Sequence, residues 1–336
     1  MKTTYLFLCL LGIGSVSGAG QTKQPQKIGD FIESTSYNEH RRNATRSLQY
    51  TPDGDDFVCI NGKNRFTRAL YGSHTAFRLE TSDRPVFAAY TKENPKHICF
   101  KLQTSGGTVA LDSTEHCESR YTAGRRSYSL SDPAFGGGSL SITTWALPDK
   151  EGAIWQFNAR NFKEFHPVLL ASISEIRNSK LNRNGDMGAD PADSFEAPLQ
   201  PQQLQSFPVQ IDGTLYILLE NQELRTLTTA EGENLFKKAE AARSETASRI
   251  RIETPDPYFN TLGGTLAMAA DGIWDGEVWL HGAIGWRMPL SGWRAAYTGD
   301  VLGWHDRART HFNAYAASQV TEVPNTLPHP AQDSAL

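Results

Sequence analysis

An antiparallel β-sandwich followed by a shorter helical segment is the fold this sequence predicts, on three observations. Short runs rich in β-branched and aromatic residues recur from about Ser47 to Leu227, broken by turn signals. No helical pattern separates these runs, which favours antiparallel strands packed as two sheets. Helical periodicity begins only near Thr228 and returns after Pro257. A closed barrel is the alternative reading of the same strands.

Four junctions carry the strand assignment. Phe57-Val58-Cys59-Ile60 meets Asn61-Gly62, a dipeptide that tolerates positive φ at both turn positions. Ile98 to Leu102 passes through Ser105-Gly106-Gly107 into Thr108 to Leu111. Leu140 to Trp145 crosses Pro148-Asp149-Lys150-Glu151-Gly152 into Ala153 to Phe157. Val209-Gln210-Ile211 turns at Asp212-Gly213 into Thr214 to Leu219. Alternation in Ser127-Tyr128-Ser129-Leu130 and in Leu140-Ser141-Ile142 sends one face inward and one outward. The polar, glycine-rich stretch Asn182 to Asp190, within 182–205, reads as a long loop between strands.

Thr228 and Glu231 have capping-box spacing, so a helix is expected over Ala230 to Ile250 as a linker between domains. Phe236, Ala239, Arg243, Ala247 and Ile250 fall at three- and four-residue steps on one face. Lys237, Lys238, Glu240 and Glu245 occupy the other. Pro255-Asp256-Pro257 stops this helix, because proline has no N–H to donate. Tyr258, Leu262, Leu266 and Ala269 or Ala270 then recur at helical steps, as do Val301, Trp304, Ala308, Phe312, Tyr315 and Gln319. The expected segments are 1–20 an export signal, 21–46 a polar arm, 47–227 the sandwich, 228–254 the linker helix, 255–323 a second helical domain and 324–336 an irregular tail.

Met1-Lys2, the apolar run Tyr5 to Ile13 and the small residues that follow to Gly20 have the order of a secretory signal. The expected product is periplasmic or extracellular. The apolar run is shorter than the ~20 residues that span a bilayer, so no membrane span is expected. The net charge is −4 and no basic stripe is present, which argues against nucleic acid as a partner. Cys59, Cys99 and Cys117 remain after the signal, an odd number. A Cys99–Cys117 bridge and buried free thiols are both compatible with that count.

The densest chemical signal runs from Ile273 to His305, where five of the seven tryptophans lie. Trp274, Asp275, Glu277, Trp279, His281, Trp286, Arg287, Trp293 and Arg294 are the candidate substrate-binding residues. Indole faces stack on the C–H faces of sugar rings, and interleaved acids, arginines and histidine orient hydroxyls. The competing reading packs these indoles between helices. Asp275 and Glu277 are two residues apart, too close in sequence to straddle a glycosidic bond from opposite sides, so they read as orienting groups rather than a catalytic pair. His281, His305 and His311 match no usual zinc spacing, and Asn184, Asp186, Asp190 and Asp193 lack the twelve-residue calcium-loop pattern. No metal and no cofactor is expected, and no catalytic residue is assigned.

The Thr254-Pro255-Asp256-Pro257 junction between a sandwich with its linker helix and a tryptophan-rich helical start resembles the large bacterial six-hairpin glycosidases. The stretches Phe57 to Tyr90 and Asn182 to Phe195 are similar to a functionally uncharacterised family of long secreted proteins from gut Bacteroidetes linked with that toroid. The resemblance implies a sandwich set against an α/α toroid whose first loop, Trp274 to Arg294, lines a sugar cleft. A twelve-helix toroid takes ~350 residues, and about eighty follow Pro255. The expectation is therefore an incomplete α/α-toroid (six-hairpin) segment. The chain would be the N-terminal part of a glycoside hydrolase, inactive by itself and completed by the missing toroid remainder. The alternatives are a non-catalytic carbohydrate-binding accessory and a structural protein of the cell envelope. In the first two readings the partner is an oligosaccharide or polysaccharide.

Overall fold

The computed structural model describes residues 50–63, 68–72, 74–91, 95–162, 167–176, 204–280 and 296–318. Within them, two antiparallel sheets stack face to face. The first contains β1 (Thr51–Asp53), β2 (Asp56–Ile60), β8 (His116–Thr122), β9 (Arg125–Ser131), β10 (Ser139–Ala146), β11 (Gly152–Arg160), β14 (Thr214–Glu220) and β15 (Glu223–Leu227), in that spatial order. The second runs β13 (Gln205–Pro208), β12 (Val168–Glu175), β6 (Lys96–Thr104), β5 (Val86–Thr91), β4 (His74–Thr81), β3 (Arg68–Gly72), with β7 (Gly107–Ala110) also paired to β6.

Period-two alternation fixes which side chains meet between the sheets. Leu140 and Ile142 of β10, Trp155 and Phe157 of β11, and Phe87 and Phe100 of the facing sheet all enter one core. Phe87 lies edge-on to Trp155, with ring centroids 5.4 Å apart, and Phe100 meets Phe157 at 5.1 Å. Such edge-to-face pairs add roughly 0.5–1.5 kcal/mol each beyond burial. The Asn61-Gly62 dipeptide differs from its expected role. Asn61 does take a positive φ of 50°. It ends β2 by accepting from Cys117 N–H at 2.9 Å, and no two-residue hairpin follows, since β2 pairs with β1 and β8.

Helices α1 (Thr229–Ala247), α2 (Pro257–Gly272) and α3 (His305–Ala317) follow, and residues 296–301 are helical as well. The Thr228–Glu231 capping box starts α1, and Asp256 caps α2 by accepting from Tyr258 N–H at 2.8 Å, with Pro257 in the first turn. The expected architecture of sandwich, linker helix and incomplete α/α toroid is corrected by this arrangement. No α/α toroid is formed among the described residues; the chain is mostly antiparallel sheet with a few short helices laid on it.

The reason is in the strands. β10, β11 and β14 are apolar on both faces: Trp145, Ile154, Tyr216 and Leu218 point away from the inter-sheet core. An apolar outer face must be covered. Ala239, Leu235 and Phe236 of α1 cover it, with Phe236 and Trp145 ring centroids 4.1 Å apart. Thus α1 is a layer of the sandwich and not a linker. Helix α2 is likewise attached to the sandwich: Tyr258 and Leu262 pack on the main core, and Thr261 Oγ1 donates to the Gly54 carbonyl at 3.0 Å.

Candidate functional site

Of the nine sequence-predicted site residues, Trp274, Asp275, Glu277 and Trp279 are described; His281, Trp286, Arg287, Trp293 and Arg294 lie outside the described residues. Trp274 and Trp279 are brought together, with ring centroids 4.6 Å apart, in a small apolar cluster with Ala296, Trp304 and Ala308. Trp279 is 1 % exposed. Its indole N–H donates to the Ala270 carbonyl at 3.1 Å, and its ring rests where a Cβ on Gly299 would stand 2.1 Å away. These two indoles are therefore packing elements here, with no face offered to solvent. Asp275 holds the turn by accepting from Glu277 N–H at 2.9 Å and Val278 N–H at 2.7 Å through one oxygen. Glu277 is exposed.

A different set of residues borders open space. A hollow of about 220 Å³ lies where the helical layer meets the sandwich, between β3, the end of β10, α1, α2 and the start of α3. Trp304, the third indole of the apolar cluster, forms part of its wall. Two cations cover that ring: the guanidinium carbons of Arg249 and Arg307 stand 5.1 Å and 4.8 Å from its centroid. Such contacts contribute ~0.5–2 kcal/mol each, more as water is excluded. Arg307 is also ion-paired with Asp271 at 2.5 Å. Arg249 donates to the Leu302 carbonyl at 2.8 Å, and Glu245, 78 % exposed, stands 3.8 Å from it.

The opposite wall is held by Glu240. This carboxylate accepts from Trp145 Nε1 at 2.9 Å, from Arg243 Nε at 2.9 Å and from Arg125 at 3.3 Å. Arg243 also donates to the Ala123 carbonyl at 2.9 Å. One acid on α1 thus joins β9, β10 and α1. Burial pushes its pKa upward, but the hydrogen bonds from Arg243 and Trp145 and the nearby arginine charges outweigh burial and hold it below the usual carboxylate range. Tyr71 of β3 closes the floor. Burial pushes its phenol up to about 12, and Gly272 at the end of α2 leaves room for its ring, since a Cβ there would lie 2.3 Å from it.

A second hollow of about 320 Å³ opens at one end of the sandwich. Phe77, Ala89 and Leu219 form its apolar floor, and Lys96, Glu151 and the Asn221-Gln222 turn of β14–β15 form its rim. It lacks the convergence of guanidinium groups and aromatic surface seen at the first.

Among the described residues no group of three His, Cys, Asp or Glu side chains is arranged to hold a metal ion. His311 accepts from Trp279 N–H through Nδ1 at 3.0 Å, and His305 Nδ1 meets Asp300 at 2.6 Å. The loop carrying Asn184, Asp186, Asp190 and Asp193 lies outside the described residues. Cys59, Cys99 and Cys117 are free thiols. Cys99 meets Ser172 Oγ at 2.9 Å while Cys117 faces the Asp83 carbonyl at 3.8 Å, so the two point to different partners. No helix of the described residues is long and apolar enough to cross a membrane.

Sequence reasoning missed Tyr71, Arg243, Arg249, Asp271 and Arg307 as a group. One signal was present: Arg243 interrupts the apolar stripe of α1, and a charged residue on the buried face of an amphipathic helix has to have a partner. Tyr71 and Asp271 carried none, because the contact joins positions about two hundred residues apart.

No curated protein matches the chain. Residues 95–250 match a family described as a domain of unknown function, DUF4450. That range takes in β6 to β15 and all of α1, including Trp145, Glu240, Arg243 and Arg249; Tyr71, Asp271, Trp304 and Arg307 fall outside it.

Proposed function

We propose that this chain is an exported carbohydrate-binding protein that serves polysaccharide breakdown without cleaving the glycan itself, and that it holds a saccharide in the hollow between the sandwich and its helical layer. The observation that carries the reading is the junction itself: guanidinium groups, carboxylates and aromatic surface border one concave space formed by sandwich and helices together. Concave sites with a few placed polar groups are where small ligands are held. At about 220 Å³ the space is smaller than the ~300–1,000 Å³ of drug-sized pockets, which suits one sugar unit or a chain end rather than a run of units.

Binding is favoured over hydrolysis by the state of the carboxylates. A general acid in glycoside hydrolysis needs a raised pKa and a second carboxylate across the bond. Glu240 is held low by hydrogen bonds from Arg243 and Trp145 and by the arginine charges beside it, and Asp271 is engaged in an ion pair with Arg307 at 2.5 Å. The leader-like Met1 to Gly20 is consistent with a place of action outside the cytoplasm.

The test is a glycan panel read for both binding and reducing-end release, using the full chain and a Thr246→Trp variant. Thr246 lines the hollow from α1, so an indole there fills it. Saturable binding that the variant abolishes, with no sugar released, agrees with the reading. Binding by neither protein contradicts it, as does binding that the filled variant retains. Release of reducing ends restores the glycosidase alternative.

A further inference from the structure

Charge at the hollow is unevenly matched. Arg243 is consumed by Glu240 and the Ala123 carbonyl. Arg307 pairs with Asp271 through one nitrogen. Arg249 has one backbone carbonyl as hydrogen-bond acceptor, and its nearest acid, Glu245, lies 3.8 Å away with its side chain in solvent. An exposed pair at that separation is worth little, since water screens it. A guanidinium carries five N–H donors in a planar fork. Arg249 and Arg307 therefore bring donors to the hollow that the described residues do not fill.

Their positions are fixed. The guanidinium carbons of Arg249 and Arg307 each lie about 5 Å from the Trp304 ring centroid, and all three residues line the hollow. Their side chains are about one-third exposed, neither sealed nor free. Two like charges lining one small hollow repel each other, and an anion held in that hollow relieves the repulsion. Planar guanidinium groups bind carboxylate and sulfate oxygens in pairs, with charge-assisted hydrogen bonds about twice as strong as neutral ones.

We propose that the saccharide taken by this hollow is anionic, a sugar ring bearing a carboxylate or a sulfate, and that Arg249 and Arg307 bind the anionic group. The proposal deepens the carbohydrate reading and rests on it. Neutral sugars hydrogen-bond to the same arginines but gain nothing from their charge, so selectivity comes from the two guanidinium groups. Tyr71 and Trp304 supply the apolar part of the wall.

The experiment is titration calorimetry of the full chain with matched trisaccharides: uronic acid, its carboxyl-reduced neutral counterpart and a sulfated form, with inorganic sulfate as the non-sugar anion. Charge-assisted hydrogen bonds contribute ~1.5–3 kcal/mol, so the better anionic sugar should bind roughly 10- to 100-fold more tightly than the neutral one. Arg249→Gln and Arg307→Gln should each lose that margin. Arg225→Gln, at an exposed ion pair on β15, should keep it. Affinity of the unmodified protein should fall as salt rises, a readout that holds even where Arg307→Gln fails to fold. The uronate and sulfate arms decide which anion is preferred. Binding of the neutral sugar equal to that of both anionic ones overturns this proposal and leaves the carbohydrate reading standing. Binding of no sugar overturns both. Inorganic sulfate binding as tightly as the anionic sugars reduces the site to an ion site and overturns the saccharide assignment.

Discussion

The backbone N–H of Trp279 donates to Nδ1 of His311, 3.0 Å away and thirty-two residues later. This bond ties the tryptophan turn after α2 to the middle of α3, inside the apolar cluster that also holds Trp274 and Trp304. His311 is fully buried, so its loss leaves a buried donor without its acceptor. An orphaned donor of this kind costs ~1–3 kcal/mol. His311→Phe is expected to destabilise the helical layer by about that amount. Hydrogen exchange should show the loss in α3 and in 274–280 and leave the strands of the sandwich core protected.

Arg126 is the corresponding fixed point inside the sandwich. It is fully buried and donates to the Ser82 carbonyl at 2.6 Å and to the Tyr50 hydroxyl at 2.6 Å. Among the described residues its Nη1 has no hydrogen-bond partner. Arg126→Met removes the cation and its hydrogen bonds to the Ser82 carbonyl and the Tyr50 hydroxyl, leaving Tyr128 as donor to Ser82. A loss of at least ~2 kcal/mol is expected. Chemical denaturation should report it as an earlier midpoint with an unchanged slope.

Glu240 makes the attachment of α1 depend on pH. Its folded pKa lies below that of an unfolded glutamate, ~4.3. The folded state therefore binds fewer protons than the unfolded one between the two values. The stabilisation is complete above the unfolded pKa and is lost as pH falls through the folded one. Asp149, held low by its hydrogen bond from Lys238 on α1, acts in the same direction. Exchange rates of α1 amides should rise as pH is lowered from about 5 toward 3, relative to the strand core. In Glu240→Gln most of this dependence should be gone, and α1 should exchange faster already at neutral pH.

The thiols should be inert in the native protein. Burial pushes Cys59 and Cys99 above the usual thiol range and Cys117 up to about 12. The thiolate is the reactive form. Alkylation at pH 8 followed by mass spectrometry is expected to leave all three unmodified until denaturant is added. A bridge between any two would appear as a missing pair of labels after unfolding.

The strands could be read because their information is local. Trp155-Gln156-Phe157 and Leu140-Ser141-Ile142 alternate as half-buried strands must, and Thr228 with Glu231 marks the start of α1 within four residues. The helical layer was misread because its cause is remote. The same period-two runs that mark β10, β11 and β14 also put Trp145, Ile154 and Leu218 on an outer face that needs a cover. That requirement, not a toroid, places Phe236 and Ala239. Trp274 and Trp279 were ambiguous for a related reason. An indole that stacks on a sugar and one that seats on Gly299 have the same sequence. Tyr71 and Arg307 come from opposite ends of the described chain and meet at one hollow only through the fold.

Hydrogen–deuterium exchange of the full chain with and without a saturating oligosaccharide tests the central claim most directly, because it locates the ligand. The account predicts new protection confined to residues 71–72, 145–148, 240–249, 268–272 and 304–308, around the junction of sandwich and helices. Protection at the Asn221-Gln222 turn and the Lys96 end of β6 instead would place the ligand in the hollow at the end of the sandwich and contradict the account.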